Sequence, residues 1–461
     1  MSKDNGEVSS NDILVLNTCT QLLKKESLDY FLLLNPRLFS CARINKSTLE
    51  IIELCNGKYT VSDISKILAE RYKVSQNQIE KDVRYVLNKL SSLGLLIKVG
   101  KDPPQSHEMF SISKGPEEVW LFVTNRCNLK CITCFKNSGT EHDNELSYDE
   151  IKTIIDEILR VGRPEIIISG GEPLLRNDLN KILKYIKDSG LRIHIITNGT
   201  LLNKKIVEEW ASIGVDFVQV SLDGSKPEIN DAIRGEGTFS RVMSNVKLLK
   251  ERNIRFSLYP TITKLNLYDV LSMSKLFCEV SGKETFGMAF FAPVGRGAVY
   301  KDNLMVSEEE YFELLRKLLS QNKNVLKKLS GFEAQLDRVP PPLSRKLNCG
   351  LASGTIAIDS DGSVYPCQWL MLPEYKAGNI RNSSFREIYF NSEVLRRLRE
   401  LTVEQIPSCI NCQWRYLCGG GCRALSLFLS GSISGPFPLC EFFKKYFENA
   451  LWGDWSEFIR D

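Results

Sequence analysis

The sequence predicts an α/β protein in which a parallel sheet curls toward a barrel, with a smaller domain on each side. Three observations support this fold class. Strand and helix patterns alternate six times in mid-chain, short strands with three helices precede them, and a cysteine-rich region follows. Such repeats form parallel sheets with right-handed crossovers. We place domains at 13–101, 117–304 and 348–447, a linker at 102–116, a helical bridge at 305–347 and a tail at 448–461.

Length and composition exclude several classes of protein. The chain has 461 residues, enough for about three domains. Its formal net charge is +4, far less basic than a protein held to nucleic acid by phosphate contacts. No apolar run approaches the roughly 18 residues of a membrane helix, and residues 1–12 lack the layout of a signal peptide. We therefore expect a cytoplasmic protein that binds neither nucleic acid nor membrane.

The N-terminal pattern is typical of a winged helix. Strands are predicted at 30–34, 39–44 and 95–99, and helices at 47–55, 61–72 and 76–93. A DNA-binding module often has this outline. Here the third helix mixes basic and acidic residues, which are Lys81, Arg84, Lys89, Glu80 and Asp82. It therefore has no basic face for DNA.

The central pattern alternates between strands and helices. Strands are predicted at 119–124, 165–169, 192–196, 217–222, 255–262 and 286–291. Helices are predicted at 148–161, 178–189, 204–213, 239–252 and 268–280, with another at 308–329 in the bridge. In such folds the chemistry lies at the carboxyl ends of the strands.

Cysteine is the residue type that points to chemistry, because the chain has 14 cysteines and only three histidines. A reducing cytosol disfavours a disulfide framework at this size, so metal ligation is the better use of so many thiols. Four scattered cysteines are interpreted as small apolar core residues instead; they are Cys19, Cys41, Cys55 and Cys278.

The first barrel strand is followed directly by the spacing Cys127-x3-Cys131-x2-Cys134. Three thiolates on one loop can hold three irons of a 4Fe–4S cluster and leave the fourth iron open. The alternative is zinc, which prefers paired C-x2-C knuckles and a fourth ligand nearby. No fourth ligand is close in sequence, which favours the cluster.

Polar turns end the next three strands. They are Gly170-Gly171-Glu172-Pro173, Thr197-Asn198-Gly199 and Ser221-Leu222-Asp223-Gly224. Taken singly, each motif is as readily an ordinary turn as part of a binding site. Their shared position beside the cysteine loop favours a common site. Residues 294–297, after the sixth strand, either line that site or form a plain turn.

The segment 118–300 resembles the radical S-adenosylmethionine (SAM) enzymes, whose signature is the C-x3-C-x2-C loop. The resemblance implies a partial (β/α)6 barrel with SAM bound to the open iron of the cluster. It also implies an enzyme that cleaves SAM to a 5′-deoxyadenosyl radical, which abstracts a substrate hydrogen. A one-electron donor of the flavodoxin or ferredoxin type would reduce the cluster. Such clusters are oxygen-sensitive.

The same resemblance assigns SAM-binding residues. Gly170, Gly171 and Glu172 match the motif that holds the methionine amino group, and Asn198 matches a T-N-G turn. Ser221 and Asp223 match an element near the ribose and the carboxylate. Either Arg234 or Arg241 would pair with the carboxylate. Thr133 departs from the family, which usually has an aromatic residue there.

The spacing of the last seven cysteines resembles the SPASM extension of peptide-modifying radical SAM enzymes, over 348–447. It implies two auxiliary 4Fe–4S clusters, and therefore three clusters in all. One would be closed by Cys409, Cys412, Cys418 and Cys440. The other would be held by Cys349, Cys367 and Cys422, with an open iron or a further ligand. Zinc knuckles are the alternative, but seven cysteines do not divide into two sets of four.

The N-terminal segment is similar to the recognition element of enzymes that modify ribosomally made peptides, a PqqD-like domain. Residues 56–64 and the pattern Asp82-Val-x3-Leu-x2-Leu-x3-Gly-Leu-Leu support the similarity. It implies that the leader of a precursor peptide adds to the edge strand near residues 30–34 and packs on the third helix. The alternative is a degenerate winged helix that only docks on the barrel.

Together these resemblances imply a peptide maturase that installs a crosslink by radical chemistry. A thioether is favoured, because an open auxiliary iron could bind a substrate thiolate, and carbon–carbon or carbon–oxygen bonds are alternatives. A second hypothesis is an enzyme like the anaerobic sulfatase maturases, which oxidise a cysteine or serine of a protein. A third is a zinc-stabilised DNA-binding regulator. No residue is assigned as catalytic acid or base, because carboxylates are too common here to choose among them.

Overall fold

The structure is a computed structural model, and it describes residues 7–17, 20–24, 29–35, 40–100, 115–139, 142, 144–282, 287–321 and 347–452. These residues form two compact units. The smaller contains the described residues up to 100 with Leu347 and 411–419, and the larger contains the rest. No helix of the described chain is long and apolar enough to cross a bilayer.

Up to residue 100, the described part of the smaller unit contains two antiparallel three-stranded sheets and three helices. Its strands are β1 (Ile13–Leu16), β2 (Gln21–Lys24), β3 (Phe31–Asn35), β4 (Ser40–Ile44), β5 (Asn56–Thr60) and β6 (Leu96–Lys98). Its helices are α1 (Lys46–Leu54), α2 (Val61–Tyr72) and α3 (Gln76–Ser92). The sheets have the orders β5-β1-β6 and β2-β3-β4. The predicted helices are confirmed, whereas β1, β2 and β5 were not predicted.

One prediction about this unit is wrong. Residues 30–34 were expected to form the edge strand that receives a leader peptide. In the structure β3 is the central strand, because Leu33 pairs with Leu22 of β2 on one side and with Ala42 of β4 on the other. Both edges of β3 are therefore occupied, and the edge strands of this sheet are β2 and β4.

One apolar core holds the smaller unit together. It includes Leu14, Leu33, Ile44, Ile64 and Leu87, all buried. The core thus takes side chains from both sheets and from the helices. The predicted linker lies almost entirely outside the described residues, as do Cys19 and the side chain of Cys41.

The larger unit begins with the predicted parallel sheet. Its strands are β7 (Glu118–Phe122), β8 (Glu165–Ser169), β9 (Arg192–Thr197), β10 (Phe217–Ser221), β11 (Phe256–Tyr259), β12 (Thr261–Ile262) and β13 (Ala289–Phe290). Its helices are α4 (Tyr148–Leu159), α5 (Leu179–Asp188), α6 (Lys204–Ile213), α7 (Pro227–Arg234), α8 (Thr238–Glu251), α9 (Val270–Ser281), α10 (Lys301–Leu304) and α11 (Glu308–Gln321). Helix α7 was not predicted.

The parallel sheet is a partial barrel. Strands β7 to β11 are neighbours in chain order and pair in parallel. The predicted strand 255–262 is interrupted at Pro260, which has no amide hydrogen to donate to a ladder. The sixth strand, β13, pairs with β12 beyond this proline. The sheet therefore curls without closing.

The cysteine-rich region continues the same sheet. Its strands are β14 (Thr355–Ile358), β15 (Ser363–Tyr365) and β16 (Gly378–Asn379), and its helices are α12 (Phe385–Asn391), α13 (Glu393–Glu400), α14 (Arg415–Cys418), α15 (Arg423–Ser430) and α16 (Cys440–Trp452). Strand β14 runs parallel to β7, with Ile358 opposite Leu121. Strands β15 and β16 follow antiparallel, so one sheet contains eight strands.

Buried aliphatic side chains fill the middle of the parallel strands, and polar residues begin where the strands end. Val119, Ile168, Ile195 and Val220 are fully buried, as expected for a parallel sheet covered on both faces. Their strands lead into the cysteine loop and into the turns at 170–173, 197–199 and 221–224. The fold therefore brings the four sequence motifs to one edge of the sheet.

Candidate active site and cysteine sites

The Gly170-Gly171 turn packs against the backbone that leads into the cysteine loop. The amide of Gly171 donates to the carbonyl of Thr124 at 2.8 Å, and the amide of Glu172 donates to that of Arg126 at 2.7 Å. A Cβ atom at Gly171 would lie 2.1 Å from the Arg126 carbonyl oxygen. Glycine is required here because the two backbones touch.

The carboxylate of Glu172 connects this turn to the next one. It is fully buried and accepts hydrogen bonds from Thr197 Oγ1 and the Asn198 amide, each at 2.7 Å. Burial raises the pKa of Glu172, against the lowering effect of these hydrogen bonds. Glu172 thus fixes the positions of two strand ends relative to each other.

A residue that sequence reasoning missed completes this network. Asn128, inside the C-x3-C spacing, accepts from Asn198 Nδ2 and donates to Thr200 Oγ1, both at 2.9 Å. The T-N-G turn is therefore tied to the cysteine loop itself. The available signal was an amide side chain directly after the first cysteine.

Asp223 and Arg234 form a buried ion pair on the other side of the loop. Arg234 Nε lies 2.7 Å from Asp223 Oδ2, and the Thr261 amide donates to Oδ1 at 2.7 Å. Burial lowers the pKa of Arg234, but the negative charges of Asp223 and Cys131 outweigh it and raise the pKa. Ser221 is half-buried at the end of β10, whereas Arg241 is exposed on α8.

The three thiols of the loop are mutual neighbours. Burial raises the pKa of Cys127 to about 11, with smaller contributions from Glu172, Cys131 and Cys134. Burial also raises the pKa of Cys131. Thiols in such a setting become thiolates when a metal replaces the protons.

Thiols are the donors that this loop offers to a metal. Among the described residues, no three His, Cys, Asp or Glu side chains converge closely enough to hold one metal ion. A 4Fe–4S cluster is a larger group whose irons each take their own thiolate. The donor set of three thiols on one loop fits such a cluster.

The sequence allowed two interpretations of residues 294–297, a site-lining segment or a plain turn. In the structure this segment packs against the cysteine loop and forms hydrogen bonds with it. Arg296 donates from Nη1 to the Cys131 carbonyl at 3.1 Å and from Nη2 to the Ser138 carbonyl at 2.7 Å. Its amide donates to the Cys134 carbonyl at 2.9 Å. A Cβ atom at Gly295 would lie 2.2 Å from the Phe135 carbonyl oxygen.

A buried ion pair joins the cysteine loop to the C-terminal strands. Lys136 pairs with Asp359, and their side chains are only 6% and 14% exposed. Asp359 follows β14 and so lies beside the end of β7. The Lys136 ammonium also lies 4.6 Å from the centre of the Phe122 ring, which Phe135 contacts edge-on.

The structure brings three of the C-terminal cysteines together. Burial raises the pKa of Cys367 to about 12, and Cys349 contributes next. Burial also raises the pKa of Cys422, followed by the effects of Cys349 and Cys367. These are the three cysteines that the resemblance groups around one cluster.

The other cysteines are placed as follows. Cys409 is buried, while Cys412, Cys418 and Cys440 are half-buried. Cys409 and Cys440 belong to the larger unit and Cys412 and Cys418 to the smaller one, so this ligand set stays a prediction. Cys55 is a buried core residue as expected, and Cys278 is half-buried.

Comparisons with known families agree with the motifs. Residues 121–277 match the radical SAM superfamily, 349–413 match the SPASM iron–sulfur cluster-binding domain, and 31–96 match the coenzyme PQQ synthesis protein D family.

Two curated relatives are similar over most of their length. The AdoMet-dependent heme synthase of Methanosarcina barkeri is 32% identical over 352 residues, which are 72% of this chain and 98% of that protein. The mycofactocin maturase MftC of Mycolicibacterium smegmatis is 30% identical over 322 residues, which are 69% of this chain and 81% of that protein.

The fold is similar to that of Streptococcus suis SuiB bound to its precursor peptide SuiA. The TM-score is 0.56 at 14% identity, over 93% of this chain and all of that one. The chain therefore belongs to the radical SAM superfamily of enzymes, with a SPASM iron–sulfur domain and a PqqD-like domain.

Proposed function

We propose that this protein is a maturase of a ribosomally made peptide, which it binds through the smaller unit and crosslinks at the barrel. The observation that supports this most strongly is the PqqD-like domain at 31–96 in a chain whose cysteine loop is held by the strand-end turns. A maturase of folded proteins does not need a leader-binding domain. The domain therefore favours a peptide substrate over a sulfatase-like one.

The leader would add to β4 and not to β3. Ile44 of β4 is buried in the same core as Val83 and Leu87 of α3, and Ala42 packs against that core. No residue of β2 belongs to it. A peptide strand beside β4 would thus lie next to the core that α3 shares, and main-chain hydrogen bonds would hold it.

The barrel would hold SAM and its cluster with the residues described above. When bound, they supply a 5′-deoxyadenosyl radical that takes a hydrogen atom from the substrate. Cys127, Cys131 and Cys134 would ligate the cluster, and the half-buried Gly170 and Gly171 would face the amino group of SAM. Asn198 and the half-buried Ser221 would border the same site.

We assign the SAM carboxylate to Arg234 in preference to Arg241, because Arg234 lies beside Cys131 while Arg241 is exposed. The side-chain carboxylates of Glu172 and Asp223 would act through the groups that they bind. Glu172 is committed to Thr197 and Asn198, and Asp223 to Arg234 and Thr261. They would therefore orient the binding groups without touching SAM.

The C-terminal cysteines would hold two auxiliary clusters, giving three in all. A crosslink removes two electrons from the substrate, and hydrogen abstraction removes only the first. An auxiliary cluster would accept the second, with a flavodoxin or ferredoxin as the external one-electron donor. Cys349, Cys367 and Cys422 would supply only three thiolates to one of these clusters, so an iron left open there could bind a substrate thiolate, which favours a thioether.

A second candidate function follows from the 32% identity to a heme synthase. An enzyme of that kind would act on a tetrapyrrole. The match spans nearly all of that protein but only 72% of this chain. This chain therefore has a part that the match does not cover, and we identify that part with the PqqD-like segment. We therefore rank the peptide first.

The test is 5′-deoxyadenosine formation by anaerobically reconstituted protein with SAM and dithionite, beside C127A. Peptides encoded by small open reading frames next to the gene, and an iron porphyrin, would be added separately. We expect a peptide to lose two hydrogens with wild type and none with C127A. A chemical change of the porphyrin alone would instead support the second candidate. No 5′-deoxyadenosine from iron-replete protein with every substrate would refute the radical mechanism.

Hydrogen exchange with the same peptides would identify the edge strand that binds the leader. Hydrogen exchange of the protein with a bound peptide should slow at residues 40–44 and in α3. Slowing confined to residues 21–24 would place the peptide on β2.

A further inference from the structure

Arg423, the residue after Cys422, is fully buried in the cysteine-rich region. Its guanidinium donates to three backbone carbonyls, those of Gly420, Ile433 and Gly435, the last at 2.8 Å. Its Nε has no hydrogen-bond partner. Among the described residues, no carboxylate forms an ion pair with it.

A buried guanidinium keeps its charge, because arginine is not deprotonated in proteins. Carbonyl dipoles satisfy its donors but carry no net charge. Burying a charge without a counter-charge is strongly unfavourable. A negative charge close to this part of the chain would remove that cost.

The carbonyls that Arg423 binds belong to segments carrying cysteines. Gly420 lies in the turn before Cys422, and residues 433–435 lie in the loop before Cys440. These two segments also touch directly, since a Cβ atom at Gly421 would lie 2.3 Å from the Phe437 ring. Arg423 therefore fixes the turn that positions Cys422 against the next segment.

We propose that Arg423 is a positioning residue and the counter-charge of the auxiliary cluster at Cys349, Cys367 and Cys422. This inference rests on the proposed auxiliary clusters. A 4Fe–4S cluster with thiolate ligands is anionic, and it gains one further negative charge when it accepts an electron. A fixed cation in a low-dielectric site stabilises the reduced form more than the oxidised form. Arg423 therefore raises the reduction potential of the cluster that takes the substrate's second electron.

The test uses C127A/C131A/C134A protein, in which the SAM-site cluster is absent and the remaining iron is auxiliary. The reporter is the reduced-cluster electron paramagnetic resonance signal that C422A abolishes. R423Q keeps hydrogen-bond donors without charge, and R423K keeps the charge. R381Q is the matched control, because Arg381 lies in the same region but is paired with Glu150.

In R423Q we expect the reporter's midpoint potential to fall by about 59 mV or more, a tenfold change for one electron. R423K and R381Q should stay near the parent. Iron loss in R423Q but not in R423K would also support the proposal. An unchanged potential in R423Q, or equal iron loss in R423Q and R423K, would overturn it. Iron-free parent protein would overturn the auxiliary clusters themselves.

Discussion

The cysteine loop of the barrel and the cysteine-rich C-terminal region build their sites differently. Around the loop, Glu172, Asn198 and Asn128 form a hydrogen-bond network on the ends of long apolar strands. In the C-terminal region, the half-buried Cys367 and Cys422 each have Cys349 as a neighbour, and they lie among short strands and helices. The first site has a scaffold of its own, whereas we expect the second to depend on its metal for order.

Iron removal is the test of this difference with the largest expected effect. Metal ligation contributes on the order of 10 kcal/mol to small metal-dependent domains, so anaerobic chelation should abolish amide protection across 420–440. Protection of β8 and β9 should remain, because their core is apolar. Hydrogen exchange with mass spectrometry measures both. Equal loss in the two regions would show that the barrel also needs iron to fold.

Disrupting the ion pair between Lys136 and Asp359 tests how much it contributes to the stability of the contact between the two regions. D359N leaves a nearly buried ammonium unpaired, and breaking such a pair costs about 3 kcal/mol. We expect a lower anaerobic melting temperature and faster iron loss from the barrel site. The double variant K136M/D359L should recover much of the stability. A D359N protein as stable as wild type would mean that the pair contributes nothing to the joint.

A substitution at Gly171, where two backbone segments are in contact, tests the rigidity of the first site. G171A would place a methyl group against the Arg126 carbonyl, and overpacking of this kind costs about 2 kcal/mol. We expect weaker SAM binding by equilibrium dialysis of the reconstituted protein. G139A is the matched control, since its Cβ would meet nothing within 4 Å. Equal SAM affinity in both variants would contradict a preformed turn.

The smallest expected effect concerns Glu150 of α4 and Arg381 of the C-terminal region. The hydrogen bond from Arg381 lowers the pKa of Glu150 from 4.5 to about 2. The pair therefore stabilises the fold above pH 4.5, and the contribution is lost as pH falls toward 2. Because both side chains are about one-third exposed, we expect less than about 1 kcal/mol.

The measurement is the anaerobic urea midpoint of the iron-loaded protein between about pH 6 and 4, with E150Q as the comparison. The difference between wild type and E150Q should shrink as the pH falls. A difference that is constant with pH would show that the carboxylate charge is not involved.

The sequence predicted those parts of the fold that depend on local patterns. Strands β8, β9 and β10 are short segments rich in Ile and Val that end in turns containing glycine, and their predicted bounds agree within one residue. Strand β2 was missed because Gln21–Lys24 has no alternating pattern, and its absence made β3 look like an edge.

The parts of the site that the sequence did not predict arise from tertiary contacts. The parallel pairing of β14 with β7 joins residues more than 200 positions apart. The contacts of Arg296 and Asn128 with their partners likewise depend on the fold. The cysteine spacings, by contrast, are local, which is why the candidate metal ligands were predictable one by one.

The pairing of β14 with β7 also bears on how such enzymes are divided into parts. Family boundaries would separate the barrel from the iron–sulfur extension, but the two share one ladder of backbone hydrogen bonds. A chain cut before residue 348 would keep β8 beside β7 but leave the other edge of β7 without a neighbouring strand. An open apolar edge of this kind is a template for strands of other molecules. Transplanting the extension between family members therefore requires matching the donor strand to β7, and truncation should give aggregates.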